Sequence, residues 1–102
     1  MSRLCILTVS GGGSPPYRKI VSVQDPIRFL GTMRAKELQH QLDVMSRTVW
    51  ETPEAEADAQ ANLLRTLKVR LYETGLKDYP ETDEGVEALY KRFDAGDQER
   101  WL

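Results

Sequence analysis

Apolar positions along this chain recur with two different periods. From Thr52 to Gly75, TPEAEADAQANLLRTLKVRLYETG, the residues Ala57, Ala61, Leu64, Leu67 and Leu71 follow one another at steps of three and four, which lays them along one side of a helix. The segment begins as helices begin. Thr52 can accept a first-turn N–H, Pro53 suits the first helical position, and Glu54, Glu56 and Asp58 sit at the positive end of the helix dipole. Gly75 can enter the left-handed conformation that ends a helix, so the pattern predicts a helix over 52–75.

The first 24 residues show strand patterning instead. Arg3 to Ser10 holds the near-continuous Leu4-Cys5-Ile6-Leu7, which reads as a strand covered on both faces. Tyr17 to Gln24 alternates, with Tyr17, Lys19, Val21 and Val23 on one face and Arg18, Ile20, Ser22 and Gln24 on the other. Between them Gly11-Gly12-Gly13-Ser14-Pro15-Pro16 can continue neither strand, and a β-hairpin over 1–24 is the economical reading. Glycine-rich loops can cradle phosphate, but this one lacks the following lysine and helix of the phosphate-binding motifs, so it is read as a hairpin tip.

Asp25-Pro26 opens a helix over 25–50, with Ile27, Leu30, Leu38, Leu42, Met45 and Val49 in one stripe that also takes in Arg34 and Ala35. The phase holds across Gly31, although Gly31-Thr32 could break the helix, and the sequence leaves the two open. The very short link to Pro53 favours an antiparallel helix pair, in which large Met45, Val49 and Trp50 meet small Ala57 and Ala61. Thr82 caps a third helix over 82–96 bearing Val86, Leu89, Tyr90 and Phe93. Residues 97–102, opened by Asp97, read as a C-terminal turn returning Trp101 and Leu102 to the core. The expected fold is one α+β domain, mainly helical: an N-terminal β-hairpin, a long antiparallel helix pair and a shorter third helix.

Composition adds limits. A chain of 102 residues, 40% hydrophobic and 29% charged, is one ordinary globular domain. Its net charge of −2 divides into +4 up to Trp50 and −6 beyond it. A single cysteine, Cys5, excludes an intramolecular disulfide and suits a reducing compartment. No apolar run approaches the roughly 20 residues that cross a bilayer. A cytoplasmic protein without membrane contact is expected.

Candidate chemistry is sparse. With one histidine, His40, and one cysteine, no zinc site of the N/S type can form within the chain. The acid pairs Glu54/Asp58 and Asp83/Glu87 are explained by their places near helix N-termini. The expectation is a protein that is not an enzyme and carries no cofactor or metal. Apolar residues outside the main stripes (Phe29, Met33, Val44, Leu63 and Val69), with Trp50 beside the turn, point to a second chain. The sequence is therefore read as a small protein-binding module, an adaptor or surface-occupying inhibitor, forming a homodimer through these helix faces and hairpin-to-hairpin pairing. An acidic face of Glu54, Asp58, Asp83, Glu84 and Glu87 would dock on a basic groove of another protein. The alternative is a nucleic-acid-binding accessory protein using Arg18, Lys19, Arg28 and Arg34, ranked second because these residues are spread and the whole chain is acidic.

Overall fold

The computed structural model describes residues 2–13, 15–96 and 101–102. Strand β1 (Arg3–Ser10) lies between β2 (Tyr17–Val23) and β3 (Lys68–Glu73) and is antiparallel to both. β2 and β3 therefore run parallel to each other, joined by the helix pair α1 (Pro26–Arg47) and α2 (Pro53–Thr66), and α3 (Asp83–Asp94) follows β3. The fold is α+β: a hairpin, a helix pair and a shorter third helix.

The pleat of β1 sends its side chains to opposite faces of the sheet. Cys5, Leu7 and Val9 join Val21, Val23, Val69 and Leu71 beneath Phe29, Leu30 and Met33 of α1. Leu4 and Ile6 join Ile20 and Tyr72 beneath Leu89, Tyr90 and Phe93 of α3, with Trp101 beside them. Cover on both sides accounts for the unbroken LCIL run, since each of its residues is at most 1% exposed.

The segment 68–73 corrects the expected helix over 52–75. α2 ends at Thr66, Leu67 is already extended (φ −64°, ψ 122°), and the next six residues form a strand. Leu67 and Leu71 fit a helical spacing, but Leu67, Val69 and Leu71 also fit period two. Pairing with β1 decides between them, because it occupies a row of backbone groups that would otherwise form an open edge. Gly75, at φ 79°, lies in the turn after β3 and caps no helix. α1 is unbroken at Gly31 and ends at Arg47, short of the expected Trp50. Of the expected C-terminal turn, residues 97–100 with the Asp97 cap lie outside the described residues. Trp101 does return, forming a bridge with Tyr72, and Leu102 donates its N–H to Leu71 O at 2.9 Å.

α2 is rotated from its expected phase, whereas α1 largely keeps its expected stripe and adds polar residues to it. Of the stripe expected over 25–50, Leu30, Leu38, Leu42 and Met45 are covered, joined by Pro26, Phe29, Met33, Glu37 and Gln41, while Ile27 is 67% and Val49 96% exposed. On α2, Ala55, Ala59 and Leu63 turn inward, and Ala57, Ala61 and Leu64 face solvent. A wheel drawn from apolar residues alone excludes Glu37 and Gln41. Gln41 accepts from Gly13 in the β1–β2 connection and Glu37 accepts from Tyr17 at the start of β2, so both belong to the packed face.

The molecule measures 49 × 25 × 23 Å, and its radius of gyration of 16.3 Å exceeds the roughly 13 Å usual for about 100 residues. α1, with 22 residues, is about 33 Å long, and the far end of the helix pair carries Val49 at 96% exposure.

Candidate protein-interaction surface

The glycine tip is built into the fold. Gly11 and Gly12 have φ +85° and +65°, in the left-handed region that suits glycine. Gly12 donates its N–H to Thr66 Oγ1 (3.0 Å) and Gly13 donates to Gln41 Oε1 (3.1 Å). Gln41 in turn donates to Glu37 Oε1 (3.1 Å), and the Tyr17 hydroxyl donates to Glu37 Oε2 (3.3 Å). Partial burial and the Glu37 carboxylate both hold the Tyr17 phenol above its ordinary pKa. Two of the loop's N–H groups are thus committed to protein oxygens, and the tip is docked where α2 gives way to β3.

A groove of about 190 Å³ opens between α1, α2 and β3, lined by Leu38, Leu64, Leu67, Val69 and Arg34. Leu64 stands at its edge, 67% exposed. Arg34 crosses the groove and donates Nε–H to Val69 O at 3.2 Å. The space is smaller than the roughly 300–1,000 Å³ typical of cofactor and drug-sized ligands. It has room for one or two apolar side chains.

The residues singled out from sequence are redistributed. Phe29 and Met33 pack on the core, Leu63 is fully buried on α2, and Val69 is 4% exposed in β3, so these four are corrected from partner-facing to internal. Trp50 is half-buried, with its indole N–H donated to Met45 O at 3.0 Å, and stabilises the end of α1. Val44 is exposed at 48%. The acidic residues do not make one face: Glu54 and Asp58 are on α2, which packs on α1, while Asp83, Glu84 and Glu87 are on α3 across the sheet. Leu38 and Leu64 both belong to stripes expected to face the core. Leu38 is half-buried in the groove wall, and Leu64 is exposed at its edge.

The basic residues are dispersed as well. Arg18 lies 4.2 Å from the Tyr90 ring centroid and pairs with Asp94 at 2.6 Å, on the α3 side of the sheet. Lys19 points to the other face, Arg28 is in the first turn of α1, and Arg34 is engaged by Val69 O. No common stripe joins Arg18 to the other three. Cys5 is buried and its thiol is pushed up to about 11, chiefly by burial and then by the Glu73 charge, with Arg3 opposing, so it is neutral at physiological pH. Among the described residues no group of three or more His, Cys, Asp or Glu could hold a metal ion. No helix among them is long and apolar enough to cross a membrane.

Compared with protein-family models, curated proteins and solved structures, the chain gives no significant match to any of the three.

Proposed function

We propose that this chain is a non-catalytic protein-binding module, an adaptor or surface-occupying inhibitor, acting through the α1–α2–β3 groove. The observation that carries the reading is Leu64, two-thirds exposed at the edge of a groove floored by Leu67 and Val69. An exposed leucine beside a small apolar recess gains most by receiving or inserting one apolar side chain, and well-packed anchors of that kind supply most of the energy at protein interfaces. Arg34 adds a charged donor at the rim, suited to an acidic or carbonyl oxygen next to the partner's anchor. The test compares partner capture by the wild-type chain and by Leu64→Glu. Loss of a bound protein from the variant at unchanged circular dichroism supports the reading. Identical capture by both refutes it.

A further inference from the structure

The two edges of the sheet are in different states. In an antiparallel ladder, successive residues direct their backbone groups alternately to one side and the other. Thr74 donates to Leu4 O (3.1 Å) and Leu4 donates to Leu76 O (3.2 Å), so the even-numbered residues of β1 face β3 and the odd-numbered ones face β2. The register Cys5–Val21, Leu7–Lys19 and Val9–Tyr17 then leaves the N–H and C=O groups of Arg18, Ile20 and Ser22 pointing away from the sheet. The outer edge of β3 is covered at the corresponding places: Val69 O accepts from Arg34 and Leu71 O accepts from Leu102. Among the described residues nothing covers the outer edge of β2.

We propose that β2 pairs with β2 of a second copy, antiparallel about a two-fold axis at Ile20, to make one continuous sheet. This goes beyond the helical groove and uses a different surface. Cross-strand chemistry selects both the occupant and the register. With the seven-residue strands fully overlapped, Ile20 meets Ile20, Arg18 meets Ser22, Lys19 meets Val21 and Tyr17 meets Val23, so no like charges stand directly opposite. Centring the axis on Arg18 or Lys19 would oppose that residue to itself. The pairing also covers Tyr17, 42% exposed, and half-buried Ile20 and Val21.

Charged residues on an edge strand commonly guard it against pairing. Arg18 does not block this register, because it stands opposite Ser22 rather than another cation, and Asp94 and the Tyr90 ring hold its guanidinium over α3. Since the β3 edge is covered, each copy has one edge to offer and assembly closes at two.

The test is the mass of the wild-type chain by light scattering and sedimentation across the micromolar range. The expected result is twice the 11.7 kDa chain mass at high concentration. Ser22→Pro removes an outward N–H that the monomer does not use, and should give a monomer with unchanged circular dichroism. Ser22→Asp, opposite Arg18 of the second copy, should tighten the dimer and Ser22→Arg should weaken it, each by roughly two- to thirty-fold in Kd because the pair occurs twice. That ordering decides the matter even if the proline variant misfolds. A monomer at every concentration, or a dimer indifferent to all the Ser22 substitutions, overturns the proposal. Leu64→Glu should leave the dimer intact, which separates this surface from the groove.

Discussion

Gly12 and Thr66, 54 residues apart, are joined by a hydrogen bond from the Gly12 N–H to Thr66 Oγ1 at 3.0 Å. The same hydroxyl donates to Asn62 O at 2.7 Å, so one side chain ties the hairpin tip to the last turn of α2. A Cβ added at Gly12 would fall 2.0 Å from Gln41 Oε1, and one added at Gly11 would fall 2.0 Å from Thr66 O, so the tip fits this seat only as glycine.

Thr66→Val keeps the shape of the side chain and removes both hydrogen bonds. It leaves the part-buried Gly12 N–H without its acceptor, which should cost about 1–3 kcal/mol. Urea unfolding measures it. A cost near zero would mean that the tip is not held by this bond.

Gly31→Ala should act in the other direction. Gly31 lies within α1, and a Cβ built on it meets nothing within 4 Å. Alanine recovers about 1 kcal/mol of helix propensity there, or roughly 4–8 °C in Tm for a domain of this size. Thermal unfolding followed by circular dichroism checks it, and a lowered Tm would contradict an unbroken, solvent-facing helix at this position.

Much of the architecture was legible in the sequence because local chemistry was strong. The caps Asp25, Thr52 and Thr82 each accept a hydrogen bond from the N–H three residues on, and Pro26 and Pro53 follow two of them. Leu4 to Leu7 announced a strand buried on both faces. What misled was competition between periods and the presence of polar residues on a packed face. Leu64, Leu67 and Leu71 sustain a helical spacing through a segment that pairing with β1 makes a strand. On α1, Glu37 and Gln41 take places in the packed face that an apolar count leaves out, and on α2 the spacing of Ala57, Ala61 and Leu64 competes with that of Ala55, Ala59 and Leu63, which is the side that packs. The groove inherits that error, since its exposed leucine is in phase with the residues assigned to the core.

The thiol of Cys5 gives a pH signature. Its pKa is raised in the folded chain from an ordinary value of 9.0 to about 11, so the folded state holds its proton where the unfolded state has released it. This contribution to stability is complete below pH 9 and is lost as pH rises from there towards 11, amounting to roughly 2–3 kcal/mol. Unfolding free energies of the wild type and Cys5→Ala across that range should converge as pH rises. A constant difference would show that the thiol is not shielded as described.

The central claim is that Leu63 belongs to the core and Leu64 to the open surface of the groove, and it is tested most directly by the stabilities of Leu63→Ala and Leu64→Ala in urea. Leu63 is 0% exposed and Leu64 is 67% exposed. Leu63→Ala should therefore cost about 2–5 kcal/mol and Leu64→Ala no more than about 0.5 kcal/mol. The reverse order, with Leu64 carrying the larger loss, would place Leu64 in the core and remove the groove on which the proposed function rests.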